Sequence, residues 1–156
     1  IRLELPQSPP PEPNVPSIRW QAPQSWEVDS ARPMREVTFI VGEEARCWIT
    51  VLAGDGGGAL ANVNRWLKEL SLEPIDDQQL SKLPTETMLG GQAIVVEGSG
   101  PYASMGSTPR QGWSMIGLIR NLQDRAVFVK MVGPDVELKE ARSKLKQLVL
   151  SLEVVQ

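Results

Sequence analysis

Arg46-Cys47-Trp48-Ile49-Thr50-Val51-Leu52, followed by Gly54-Asp55-Gly56-Gly57-Gly58 and then by Leu60, Val63, Trp66, Leu67 and Leu70, is the stretch on which the fold turns. Its first part alternates Arg46/Trp48/Thr50 against Cys47/Ile49/Val51, which is the period of a strand. Large side chains occupy both faces, so this strand belongs inside a sheet that is covered on both sides. The glycines break the pattern. The apolar spacing then changes to three and four residues, which predicts a helix over 59–72 with Arg65, Lys68 and Glu69 outside its buried stripe.

Working outward, Val37-Thr38-Phe39-Ile40-Val41 is a β-branched and aromatic run and reads as a strand before the turn Gly42-Glu43-Glu44. Ile18 to Val28 carries Trp20 and Trp26 around Pro23-Gln24-Ser25, the spacing of two short strands joined by a turn. Beyond the first helix, Pro74 and Asp76-Asp77-Gln78-Gln79-Leu80 predict a stop and the capped start of a second, short helix. Thr85 to Leu89 and Gln92 to Glu97 flank Gly90-Gly91, a two-residue hairpin signal. Residues 98–112 mix glycine and proline with small polar residues and read as a mobile loop. Trp113 to Asn121 and Ala126 to Val132 are two more strands. Gly133-Pro134-Asp135 opens a helix over 135–152 whose stripe is Leu138, Ala141, Leu145, Leu148/Val149 and Leu152.

Most strand links are too short for crossover helices. The expected fold class is therefore α+β: a mostly antiparallel central sheet flanked by helices, an α/β/α sandwich. Residues 1–17 are expected to form a disordered proline-rich leader and 18–156 a single domain. Six prolines lie within residues 1–16, a composition that favours extended polyproline geometry and serves as a stiff tether, or else as a ligand for a polyproline-reading domain. The chain opens at Ile1 and not at Met, from which removal of an upstream segment, and a lipid tether there, is the expectation.

Composition narrows the chemistry. Of the 156 residues, 41% are apolar and 22% charged, ordinary globular values. The net charge is −3 with both signs interspersed, so nucleic acid is not an expected partner. No apolar run has the length of a membrane-spanning helix. There is no histidine, which removes Ser-His and Cys-His pairs and every His-ligated metal site. The one cysteine, Cys47, sits in a strand pattern and reads as a packed thiol. No catalytic residue, metal ligand or cofactor is assigned.

The candidate ligand- or partner-binding residues are Asp55, Gly56, Gly57, Gly58, Asn62, Asn64 and Arg65. Glycines ahead of a helix can present backbone amides to an anion, although Ala59-Leu60-Ala61 stands where a P-loop has its Lys and Ser/Thr. The bland reading is a strand-to-helix turn that needs positive φ. Asn62 and Asn64 are poor helix-interior residues, so their side chains are expected to bond something: nearby backbone in the bland reading, a ligand in the functional one. Of the five tryptophans, Trp20 and Trp26 are the two whose exposure would mark an interaction site.

Trp20-x-x-Pro23-x-x-Trp26, Pro33-Met34-Arg35, Gly54-Asp55-x-Gly57-Gly58 and Ala61-Asn62-Val63-Asn64-Arg65-Trp66 together resemble a group of exported bacterial proteins common in planctomycetes and related lineages. The likeness runs over most of residues 18–152, with Ser25 where the pattern usually has glycine. The opening Trp-Pro-Trp hairpin and the long final helix also resemble the PsbP-like fold, an α/β/α sandwich shared by photosystem extrinsic subunits and a Ran-binding nuclear import factor. That resemblance implies a protein-binding scaffold without catalysis. The leading expectation is a non-catalytic binding or scaffold module of the bacterial cell envelope with a protein partner. The alternative is an enzyme or receptor that binds an anionic or phosphorylated small molecule at loop 54–58, with Arg65 as the charge clamp. A third is an oligomer-forming structural domain.

Overall fold

The computed structural model describes residues 18–104 and 106–155; the leader expected over 1–17 lies outside them. Seven strands form one antiparallel sheet: β2 (Glu27–Val28), β3 (Val37–Ile40), β4 (Arg46–Ala53), β5 (Thr85–Met88), β6 (Gly91–Tyr102), β7 (Arg110–Asn121) and β8 (Arg125–Pro134). Their spatial order is β2-β3-β4-β8-β7-β6-β5. Two short strands, β1 (Ile18–Arg19) and β9 (Glu153–Val154), pair with each other. The helices are α1 (Ala59–Glu69), α2 (Asp77–Leu80) and α3 (Asp135–Ser151). The expected α+β class, with an antiparallel sheet flanked by helices, is the one found.

Helices α1 and α3 lie on opposite faces because each central strand carries two apolar sets. Cys47, Ile49, Val129, Met131, Ile116 and Leu118 meet Leu138, Ala141, Leu145, Leu148 and Val149 of α3. Val96, Met115, Ile119, Ala126 and Phe128 meet Val63 and Trp66 of α1 and Leu70 at its C-terminal cap. The register Trp48↔Lys130 and Ile49↔Val129 keeps the two sets apart across β4 and β8. Burying each large side chain contributes roughly 1.5–3 kcal/mol.

Three local expectations are corrected. The Trp20–Trp26 segment does turn, with the Trp26 amide donating to Pro23 O at 3.0 Å. Yet its strands do not pair with each other: β1 joins β9 through Ile18↔Val154, and β2 joins β3 through Val28↔Phe39. Trp26 is buried, and both indoles contact Phe39 at ring-centre distances of 6.3 and 5.8 Å. Their role is core packing. The β5–β6 turn is Leu89-Gly90, one residue earlier than expected, since Met88 pairs with Gly91 and both turn residues have positive φ, as a tight hairpin requires.

The expected loop 98–112 is mostly strand. β6 runs to Tyr102 and β7 starts at Arg110. Two of its glycines serve close approach: a Cβ on Gly100 would stand 2.5 Å from the carbonyl oxygen of Leu70, and one on Gly98 would meet Leu70 and Leu72 at 3.1 Å. The C-terminal end of α1 settles there, and Ala103 N–H donates to Glu69 O at 2.8 Å. Ser71, at φ 58, closes that helix with Leu72 N–H donating to Leu67 O, a Schellman-type stop.

Candidate functional site

The glycine loop is built around its own side chains. Gly54, Gly56, Gly57 and Gly58 all have positive φ, which lets five residues turn β4 into α1. Gly54 N–H donates to Asp124 O, Gly56 N–H to Ala53 O and Gly58 N–H to Asp55 O, at 2.9, 3.3 and 3.1 Å. Gly57 N–H donates to Asp55 Oδ1 at 3.0 Å. The buried Asn62 amide donates to Gly56 O and Gly58 O at 3.0 and 2.8 Å. Asn64 instead embraces the backbone of Ile75, accepting from its N–H at 2.8 Å and donating to its oxygen at 3.1 Å. Arg65 is exposed. The structure thus gathers Asp55 to Gly58 with Asn62 in one closed turn, and turns Asn64 and Arg65 elsewhere.

A different constellation forms where α1 stops short of the sheet's end. At its centre is Lys130, the charged residue in the apolar run of β8, only 5% exposed. Its ammonium donates to Glu69 of α1. It also lies 5.6, 5.3 and 5.8 Å from the ring centres of Trp48, Trp66 and Tyr102, within cation–π range. Burial lowers the Lys130 pKa, and Glu69 opposes that shift. Burial, followed by the Glu69 charge, pushes the Tyr102 hydroxyl up. The Cys47 thiol, on the other face, is raised by burial alone.

Outward from Lys130 the alternation of rings and cations continues. Tyr102 stacks on Trp113 with centres 5.9 Å apart and planes 10° apart. The Arg110 guanidinium lies 4.6 Å from the Trp113 ring centre, and that of Arg35 lies 3.8 Å from the Trp48 ring centre. These side chains border an open cleft of about 390 Å³, which Arg32, Arg46, Ser104 and Ser107 also line. Asp29 is shared by Arg32 at 3.5 Å and Arg46 at 3.4 Å, and Glu44 sits 3.4 Å from Arg110. The Ser30 backbone amide, with the two arginines adding to it, holds the Asp29 carboxyl below its ordinary range. Burial, and then the Arg32 charge, lowers the Arg35 pKa. Among the described residues no carboxylate stands within ion-pair distance of Arg35; its guanidinium donates to the Thr38 hydroxyl at 3.3 Å.

Four guanidinium groups here face the carboxylates of Asp29, Glu43 and Glu44, a local positive excess on a chain whose net charge is −3. The chemistry on offer is electrostatic capture of an oxyanion by planar, ring-backed donors. A larger trough of about 540 Å³ on the α3 face, which Lys139 also lines, pairs most of its charges internally. There Arg142 reaches Glu86 and Glu97 at 3.1 and 3.0 Å, and Ser114 donates to Asp135.

No family model matches the chain, and no curated protein matches it in sequence. Solved structures do. A crystal structure of a Bacteroides thetaiotaomicron protein superposes with a TM-score of 0.59 at 10% identity, over 91% of this chain and 46% of that one. The likeness is one of fold. The chain spans just under half the length of that structure. The cyanobacterial PsbP of Synechocystis is similar at a TM-score of 0.49 and 10% identity, over 96% of this chain and 99% of that one. LpqN, described as involved in cell envelope biogenesis of Mycobacterium tuberculosis, is similar at 0.42 and 14% identity, over 89% and 83%. Among the described residues no helix is long and apolar enough to cross a membrane.

The glycine loop was the residue set that the sequence singled out, while Arg35, Trp48, Tyr102, Arg110, Trp113 and Lys130 were not drawn together. One signal was present: a lysine in the middle of Ala126–Val132, where every other residue is apolar. A charge in such a strand needs a partner on the covering helix, and Glu69 is that partner.

Proposed function

We propose that the chain is a non-catalytic binding module of the bacterial cell envelope that captures an anionic protein partner through the arginine-lined cleft. The observation that carries this reading is Arg35, a half-buried guanidinium held over Trp48 with no carboxylate in ion-pair contact among the described residues, Asp29 acting on it only from a distance. An unspent cation fixed by packing is costly to the fold and useful to a ligand.

Two features support the tethered, envelope part of the proposal. The proline-rich leader has the composition of a spacer, and the Gly54–Trp66 motif resembles exported bacterial proteins. In addition, α3 begins beside the cleft, where Glu137 accepts from the Glu44 and Ala45 amides at 3.0 Å. Its 17 residues then run to the β1–β9 clasp, a span of about 25 Å. A tether joining at residue 18 therefore leaves the cleft at the opposite pole. Capture of a small anion by loop 54–58 has less support, because the amides of Gly54, Gly56, Gly57 and Gly58 already have acceptors.

The test is capture from solubilised bacterial envelope by immobilised full-length chain, compared with the Arg35→Ala/Arg110→Ala variant, with retained proteins identified by mass spectrometry. Loss of the same partner from the folded variant is expected. Equal retention by both proteins would remove the cleft from the proposal, and recovery of the native protein in a cytosolic fraction would remove the envelope.

A further inference from the structure

We infer that the cleft is a carboxylate clamp for an extended acidic stretch of the partner, anchored by Arg35 and completed by Arg110. The inference rests on the proposed binding role and adds the chemistry of the occupant.

The rings decide against a stacking ligand. Trp48 already has Arg35 and Lys130 as partners, Tyr102 has Lys130 and Trp113, and Trp113 has Tyr102 and Arg110. A sugar or nucleobase needs a bare ring face, and each ring at the cleft has two partners already. What the cleft offers is the edge of a guanidinium whose plane is steadied by an indole. That geometry suits the two oxygens of a carboxylate, which accept two parallel N–H bonds.

Of the three acids at the cleft, Glu43 is exposed to solvent and the other two are committed or weakly held. Asp29 is divided between Arg32 and Arg46. Glu44 meets Arg110 across 3.4 Å with both side chains more than half exposed, at 53% and 56%. Such a pair contributes about 0–1 kcal/mol, so an incoming carboxylate can take the place of Glu44 at small cost. Arg35 comes from the β2–β3 connection and Arg110 from the start of β7, two separate elements lining one open cleft. Two anchoring sites on different elements fit successive carboxylates along a chain better than one small anion. The positive excess of the cleft on an acidic chain supplies the steering.

The experiment is calorimetric titration of the full chain with a hexaglutamate peptide, with hexalysine, glutarate and inorganic phosphate as comparison probes. Saturable binding of hexaglutamate alone is expected, weakening at least about fivefold between 50 and 300 mM salt as screening grows. Arg35→Ala and Arg35→Lys are each expected to lose about tenfold, the lysine because an ammonium lacks the planar fork. Arg110→Ala, at an exposed position, reads the clamp even where a change at Arg35 disturbs packing. No saturable hexaglutamate binding, phosphate bound more tightly than the peptide, or unchanged affinity in both Arg35→Lys and Arg110→Ala would overturn the clamp. Failure of hexaglutamate together with loss of partner capture in Arg35→Ala/Arg110→Ala would overturn the carboxylate chemistry and leave the binding role standing. Undiminished capture by that variant would overturn the binding surface itself.

Discussion

Gly117 lies directly beneath the indole of Trp66. A Cβ at Gly117 would fall on Cζ3 and Cε3 of that ring, nearer than the 3.0 Å that real Cβ atoms keep. Glycine is a poor residue for the middle of a strand, and β7 is central. It is accommodated here because the bare backbone lets Trp66 sink onto the sheet, where it meets Phe128 edge to face with ring centres 6.1 Å apart and comes within reach of Lys130. One missing side chain thus sets the depth of α1 and the position of a ring that faces the central ammonium.

Gly117→Ala is accordingly expected to destabilise the chain by about 1–3 kcal/mol, the usual cost of overpacking a filled core. Urea unfolding followed by tryptophan emission measures both the loss and the displaced indole. A variant with wild-type stability and an unshifted spectrum would show that α1 rides above the sheet more loosely than this contact implies.

The difference between what was legible in the sequence and what was not follows one physical line. Period-2 and period-3.6 patterns report which face of an element is apolar, so β4, α1 and α3 could be read from Arg46 to Leu52, Leu60 to Leu70 and Leu138 to Leu152. Pairing is a long-range property that these patterns do not carry. Ile18 finds Val154 and not a neighbour beyond Pro23, because β9 offers an open edge at the far end of the chain. Composition also fails to separate a flexible glycine from one that admits a neighbour. Gly98 and Gly100 read as loop, yet each lies under Leu70. Leu89 at φ 53 shifts a hairpin by one residue, and nothing in a leucine announces that.

The site was hidden for the same reason. Trp48, Tyr102 and Trp113 lie on three strands, and only the registers Trp48↔Lys130 and Tyr102↔Arg110 bring rings and cations together. Arg35 looked like part of a motif, while its seat over Trp48 depends on how β3 pairs with β4.

The Lys130–Glu69 pair joins β8 to α1, with the two side chains 6% and 19% exposed. Removing one member of a buried pair leaves a charge without compensation, whereas replacing both with apolar groups is often neutral or better. Lys130→Met alone is expected to cost about 3 kcal/mol, and Lys130→Met/Glu69→Leu to recover most of that loss. A double-mutant cycle on chemical denaturation measures the coupling. Additive costs would mean that the lysine is held by its three rings and not by the carboxylate.

Cys47 gives the fold an alkaline sensitivity with a definite sign. Burial raises its thiol pKa above the ordinary value of 9.0. Above pH 9 the unfolded chain releases the thiol proton while the folded chain keeps it, so stability falls as pH rises through that window. The slope approaches about 1.4 kcal/mol per pH unit. Burial also shifts the Lys130 pKa down and the Tyr102 pKa up, so the comparison is wild type against Cys47→Ala, in which both remain. The stability difference between the two proteins is expected to be flat from pH 6 to 8 and to shrink from pH 9 to 10.5. A difference that stays constant to pH 10.5 would mean that the thiol ionises in the folded state.

Asn62 and Asn64 allow the two readings of the glycine loop to be separated by stability alone. If these amides hold backbone, their removal leaves the oxygens of Gly56 and Gly58, or the N–H and oxygen of Ile75, without partners. Each alanine substitution is then expected to cost about 1–3 kcal/mol. Aspartate sharpens the test. At position 62 it keeps the size but replaces a donor shared by two carbonyls with a charged acceptor facing them, so Asn62→Asp is expected to be worse than Asn62→Ala. At position 64 aspartate still accepts from Ile75 N–H, so Asn64→Asp is expected to fall between wild type and alanine. Side chains reserved for a ligand would show the opposite pattern, with wild-type unfolding midpoints in all four variants, because the apo fold would not depend on them.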